Sequence, residues 1–576
     1  MRQRGGRLLA SIPAALLAAG ATPAPPPADL VVLGGRVLTV DRDFRVAQAA
    51  AIRGGVFVLV GADAEARALI GPRTRVIDAR GRSVIPGLVD SHVHALGVAE
   101  SQARGAFADL RSVAEIQAWV RERARRTPEG RWLWSPRVFP TRLLERRLPT
   151  RDELDAAAPD HPVVVDAAYA LVANTAALTA AGIGPDTPAP AGGAIVKDAG
   201  GRPTGLLRNV GAMLDRFLPP GRPERLLDEL ERVHRSYNAV GITSVIERGA
   251  TLDGYRAYQA LRAKDRLRVR ATVTLRVASD GTAEGTEAFL RALPLRFGEG
   301  DDRLRVGPLK IVADGGLLAG TAYMREPYEK GASALYGVTD PGFRGFTTLS
   351  PEAMKTIVRA GHRDGWQMIA HVTGDAGVDA VLDAFEAANA EAPIRDRRFT
   401  LLHAYFPNGD TARRAAALGV LVDTQPAWFY KDAGALGPAL GADRLRRFIG
   451  LQEWRRAGVT VAINTDHMFG LDPDRSLNPY NPFLTMAVAV TRRAENGLVI
   501  GPEQAVTRQE ALRMMTRDAA YLAFEEHRRG SIEPGKLGDL VVLSEDFMAA
   551  PPERIRDLRA VMTVLGGVVV HEADGL

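Results

Sequence analysis

Eight apolar runs of strand length recur along this chain, most of them followed by a stretch with helical patterning. They are Val84–His92, Ile242–Glu247, Val269–Ala278, Leu304–Ala313, Trp366–His371, Phe399–His403, Val420–Thr424 and Val459–Thr465. Short apolar runs of this kind suit strands buried on both faces, which need helices packed outside them. After His371 the helical pattern is explicit: Val378, Val381, Leu382 and Phe385 fall at i, i+3, i+4 and i+7. Eight β/α repeats predict an α/β fold, a distorted (β/α)8 TIM barrel whose site is built at the C-terminal strand ends. The spacing breaks once. From about Leu96 to Val240 the interval is too long for one crossover, which predicts an inserted subdomain after strand 1, over about residues 97–235.

The chain ends read differently. "DLVVLGGRVLTVD" and "AAIRGGVFVLVG" near the start, and "GKLGDLVVLSED" and "AVMTVLGGVVVHEADG" near the finish, are short strands broken by glycine turns. Neither end can build a core alone, so residues 28–82 and 530–576 are expected to pair into a small composite β-sandwich, leaving 83–529 to the barrel. Residues 1–27 place Arg2, Arg4 and Arg7 before an apolar, small-residue run and a Pro-rich stretch. That order is that of a signal peptide, and export to the periplasm or beyond is the expectation; a cytoplasmic protein with an Ala-rich extension is the alternative. The run is short for a bilayer span and no later segment makes one, so stable membrane insertion is not expected.

With no cysteine in the chain, a metal site has only His, Asp, Glu or a modified Lys to draw on. The net charge of +6 is small for 576 residues, and no nucleic-acid-binding motif accompanies it, so a nucleic-acid partner is not expected. His92 and His94 end the first run two residues apart, on one face of a strand, where both can reach one ion. His371, His403 and Asp466 end the fifth, sixth and eighth runs. Each alone suits a hydrogen-bonded structural residue; together they ring one rim. Lys310 interrupts the apolar run "VGPLKIVADGG". A neutral amine beside two cations would take up carbon dioxide and bridge them as a carbamate. An outward-facing lysine, or a salt bridge to Asp314, is the alternative.

The stretches "VIPGLVDSHVH", "LKIVADGG", "AHVTGDAGVDAVLDAFE", "LLHA", "DTQP", "NTDH" and "GSIEPGKLGDLVVLSEDF" resemble the amidohydrolase superfamily, in its YtcJ-like branch (amidohydrolase family 3). The similarity runs from near residue 29 to near residue 570. It implies His92 and His94 as ligands of a more buried metal, carboxylated Lys310 as a bridge, and His371 and His403 on a second metal. Asp466 would touch the first metal and handle the proton of the attacking water, with His403 assisting the substrate carbonyl. One or two divalent ions fit, zinc being the default for nitrogen and oxygen ligands. The implied activity is metal-dependent hydrolysis at the carbonyl of an amide-type C–N bond: N-acyl, N-formyl or cyclic amide. An esterase or lactonase would use the same centre. Lys310 argues against a deaminase, and retention of all six rim residues argues against a non-catalytic binding protein.

Departures from the family pattern bear on the small-molecule substrate. In "DGGLLAGTA", Gly316, Ala319 and Gly320 stand where relatives carry serine and arginine; Tyr169 replaces a histidine and Asn209 a glutamate; His467 follows Asp466. Candidate substrate contacts are Tyr169, Asn209, Tyr405, Gln425, Trp428, Tyr430 and His467. An exposed apolar strip on the sandwich would favour a homodimer.

Overall fold

A computed structural model describes residues 26–573; the expected leader falls almost wholly outside them. At the centre lies one eight-stranded parallel sheet with its strands paired in chain order: β1 (Leu88–Val93), β2 (Ile242–Ala250), β3 (Arg270–Arg276), β4 (Leu304–Val312), β5 (Met368–Val372), β6 (Thr400–His403), β7 (Leu421–Thr424) and β8 (Val461–Ile463). Every residue of β1, β5, β6, β7 and β8 is buried. Side chains on both faces are therefore selected for packing, which is why these runs show little alternation.

The sheet curls into a nearly closed barrel. Instead of a ladder between β8 and β1, the seam is held by Asp90, whose carboxylate accepts from the backbone N–H and the hydroxyl of Thr465. The His94 N–H donates to the His467 carbonyl at 3.2 Å. This seam lays the segment after β8 against the end of β1.

The helices around the barrel include α1 (Ala95–Arg104), α2 (Pro223–Asn238), α3 (Asp375–Glu391) and α4 (Pro426–Leu440). On α3 the predicted face of Val378, Val381, Leu382 and Phe385 is buried. The first apolar run, expected as one strand, is split. Ser83–Pro86 leaves the barrel and joins a six-stranded sheet, pairing with Arg36–Leu38 and Leu540–Leu543. A Cβ on Gly87 would lie 2.3 Å from Thr243 Oγ1, so only glycine lets the backbone cross here from one sheet to the other.

That six-stranded sheet packs on a four-stranded one made of Val56–Gly61, Ala49–Arg53, Leu30–Leu33 and Arg75–Asp78. Leu30, Val32, Val84, Leu540 and Val564, drawn from both chain ends, share the core between them. Between β1 and β2 lies a five-stranded sheet, in which Val163–Asp166 and Ala170–Ala173 form an antiparallel pair. The turn joining these two strands carries Tyr169 to the barrel mouth. Among the described residues no helix is long and apolar enough to cross a membrane.

Candidate metal centre

His92, His94 and Asp466 offer one ligand atom each, all within 4.8 Å of one another. The imidazole Nε2 atoms of His92 and His94 lie 3.6 and 3.3 Å from Asp466 Oδ1. The other carboxylate oxygen accepts from the Trp428 indole N–H on α4 at 2.8 Å. His403 stands beside this group, its ring 5.2 Å from that of His92 and 4.4 Å from that of His371. Its Nδ1–H donates to Gln425 Oε1 at 2.7 Å, which leaves Nε2 with a lone pair facing the cavity.

Three buried atoms here lack any hydrogen-bond partner: His92 Nε2, His403 Nε2 and Asp466 Oδ1. Buried polar atoms seldom stay unpaired, and three converging on one space are the signature of a cation site. The donor set, imidazole nitrogen and carboxylate oxygen without sulfur, suits a first-row divalent ion.

The electrostatics agree. Burial pushes His92, His94 and His371 below the ordinary imidazole range, and His403 down to about 4, so these rings stay neutral at physiological pH. Burial would raise the Asp466 carboxyl, but the close approach of the His94 and His403 rings and the hydrogen bond from Trp428 outweigh it and hold it ionised. Neutral imidazoles and a carboxylate are the forms that bind a metal. Two of these residues carry unusual backbone geometry: His403 has φ 73° and Asp466 φ 48°. Non-glycine residues in the left-handed region concentrate where function dictates a side chain's direction.

Lys310, only 6% exposed, lines the cavity, and burial lowers its ammonium to about 8. It points into the barrel rather than outward. His371 also faces the cavity, but its Nε2 is engaged by the Tyr169 hydroxyl at 3.1 Å and the Gly315 carbonyl at 3.2 Å.

The substrate candidates divide. Tyr169, Tyr405 and Trp428 line the cavity of about 510 Å³ together with His94, Lys310, His371, His403 and Asp466. Gln425 is wholly buried and works behind the histidines, touching both His403 and His92. His467 is a correction. Its ring turns away from the cavity into a buried niche, bonded to the Tyr237 hydroxyl at 2.8 Å and the Gly470 carbonyl at 3.0 Å. Tyr430 lies in a neighbouring cleft, where its hydroxyl accepts from Arg556. Asn209 donates to the Gly192 carbonyl on the inserted subdomain and does not line the cavity.

Sequence reasoning missed Arg137, Phe139, Arg276, Leu317, Leu318 and Phe469, which complete the wall. None of the six stands out in the sequence; Arg276 reads there as an ordinary charge near the end of a strand-like run.

The amidohydrolase family matches residues 75–571. The N-substituted formamide deformylase of Arthrobacter pascens is 30% identical over 95% of this chain and 99% of its own. The protein YtcJ of Bacillus subtilis is 28% identical over 94% of this chain and 98% of its own. A metal-dependent hydrolase from Pyrococcus horikoshii shares the fold with a TM-score of 0.67 at 21% identity, covering 91% of this chain and 99% of that one.

Proposed function

From the premise that this chain belongs to the amidohydrolase family, as a metal-dependent hydrolase of C–N bonds, we propose that it cleaves the carbonyl–nitrogen bond of small N-acyl or N-formyl amides. One observation carries the reading. His403 and Asp466, each with an unpartnered atom, line a cavity large enough for a small organic substrate, and the unpartnered Nε2 of His92 lies just behind, 3.6 Å from Asp466 Oδ1.

His92, His94 and Asp466 would hold a divalent ion, zinc for preference. His371 and His403 would hold a second ion, with a carboxylated Lys310 as a further ligand. Such an ion supplies two things when bound, a water acidic enough to ionise near neutral pH and polarisation of a carbonyl oxygen.

The protein groups do the rest. Asp466, ionised and aimed by the Trp428 indole, is the base for the attacking water and returns that proton to the leaving nitrogen. Burial pushes the Tyr169 phenol well above its usual range, so it remains a hydrogen-bond donor beside His371, suited to the carbonyl oxygen as charge develops there. The relative from Arthrobacter pascens, named for formamide deformylation, supports the acyl side being small.

Metal analysis with a panel of N-formyl, N-acyl, cyclic-imide and aryl-ester substrates tests the assignment. Asp466→Asn keeps an oxygen ligand but removes the base, so turnover should fall by roughly 10²–10⁴ while the protein still takes up metal. Near-native amide turnover in the metal-loaded variant would refute the role. Turnover of the esters alone would move the assignment to ester hydrolysis.

A further inference from the structure

The cations lining the cavity are Arg104, Arg137, Arg248, Arg276 and Lys310. Most are already spent. Arg248 pairs with Asp423 at 2.8 Å, both buried. Arg137 reaches both oxygens of Asp166, at 3.0–3.2 Å, and lies over the Phe469 ring. Lys310 sits on the floor with the histidines. Arg104 is exposed at the outer end of α1, away from β3 and β4, with Glu100 one turn before it also lining the cavity.

Arg276 is different. It is the last residue of β3 and, in parallel register, the partner of Lys310 on β4, which places it at the rim beside the catalytic floor. Among the described residues its guanidinium has no carboxylate within ion-pair distance and no hydrogen bond. An unpaired arginine is ordinary on a convex surface. At the rim of a concave site, next to the reacting groups, it is a ready anion receptor. The cavity also has an apolar lining, from Phe139, Leu317, Leu318, Trp428 and Phe469.

Resting on the amide-hydrolase reading above, we propose that Arg276 selects substrates carrying a carboxylate next to the scissile amide, with an apolar group packed on the cavity's apolar lining. The planar fork matches a carboxylate with two parallel hydrogen bonds. One spare cation balances a monoanion, whereas a phosphate dianion would leave a charge uncompensated in a partly dry cavity.

Matched substrates differing only in the charge test this: N-formylphenylglycine against N-benzylformamide, with the corresponding N-acetyl pair. The wild type should prefer the carboxylate member, and in Arg276→Gln the ratio of the two kcat/KM values should drop by roughly 10²-fold, as expected for a bidentate charged pair. A second arm needs no turnover. Titration calorimetry with phenylacetate, and with benzyl alcohol as its neutral counterpart, should show phenylacetate binding weakened about tenfold or more in Arg276→Gln. A wild-type preference for the neutral amide, or an equal fall for both amides in the variant, overturns the proposal; so does unchanged phenylacetate affinity. If no amide is hydrolysed yet phenylacetate binding still depends on Arg276, the amide assignment fails and the anion site stands.

Discussion

Removing the guanidinium of Arg248 should loosen both the barrel and the metal centre. Arg248 ends no strand; it projects from β2 into the barrel interior, where its side chain is 2% exposed and that of Asp423 is 0%. The guanidinium donates to Asp423 at 2.8 Å and to the Ser91 carbonyl at 2.8 Å. The same carboxylate accepts from Ser91 Oγ and Asn464 Nδ2, each at 2.6 Å. One network therefore ties β1, β2, β7 and the segment after β8 together, directly below His92 and Asp466.

Arg248→Met removes a charge-assisted pair and leaves a buried carboxylate with only the neutral donors of Ser91 and Asn464. Breaking such a pair costs about 3–5 kcal/mol, most of it the uncompensated charge. Denaturant unfolding, read from midpoint and slope, would report the loss. Arg248→Met/Asp423→Asn removes the charge along with its partner while keeping an acceptor for Ser91 and Asn464. It should recover about 2 kcal/mol or more relative to the single variant. Ser91 directly precedes His92, so metal affinity should also fall by roughly 10-fold or more, the range seen when groups supporting a ligand are lost. Equal stability of Arg248→Met and wild type within about 1 kcal/mol, or strict additivity in the cycle, would show that the network neither braces the barrel nor positions the ligands.

Two further outcomes are expected. Tyr169→Phe should lower kcat by roughly 10²-fold at constant metal content and with little change in KM, since the lost hydrogen bond is strongest when charge develops on the carbonyl oxygen; steady-state kinetics on the metal-loaded variant would read this, and a KM effect alone would contradict it. On α2, Glu231 is gripped by Arg235, Arg266 and Arg268, and although burial opposes it, those hydrogen bonds bring its carboxyl down to about 2. A carboxyl depressed in the folded state stabilises above its unfolded value near 4.5 and loses that contribution as pH falls toward about 2. Glu231→Gln should therefore cost about 1–2 kcal/mol at pH 7, allowing for solvent screening of the partly exposed arginines, and the gap to wild type should close between about pH 4.5 and 2. Thermal melts across that range would check the sign.

The parts of the molecule legible in the sequence are those where one residue type is demanded by one local environment. Strands buried on both faces must be apolar, so all eight were visible, and His92, His94, His371 and His403 were visible as polar residues breaking that rule at strand ends. The error at Ser83–Pro86 arose because a run that passes from one buried sheet into another stays apolar throughout; only the close approach at Gly87 marks the crossing. Arg276 was hidden for the opposite reason. An arginine after "ATVTL" looks like a solvated strand end, and whether it faces the cavity is set by its register with Lys310 and the curl of the whole sheet.

His467 shows the same dependence on geometry from the other side. Adjacency to Asp466 makes it look, in the sequence, like a substrate contact. Strand periodicity, carried four residues past β8 to His467, offers no warning, because it assumes extended backbone. Asp466 is instead left-handed, at φ 48°, and that turn sends its carboxylate inward between His92 and His94 while the next imidazole swings into the niche of Tyr237 and Tyr480. The cost of holding a non-glycine residue there is of order 1–3 kcal/mol. The Trp428 indole and the donation from Asn478 to the Asp466 carbonyl help offset it. The strain and the metal centre are thus one feature: the backbone conformation that brings Asp466 into contact with His92 and His94 is also what removes His467 from the chemistry.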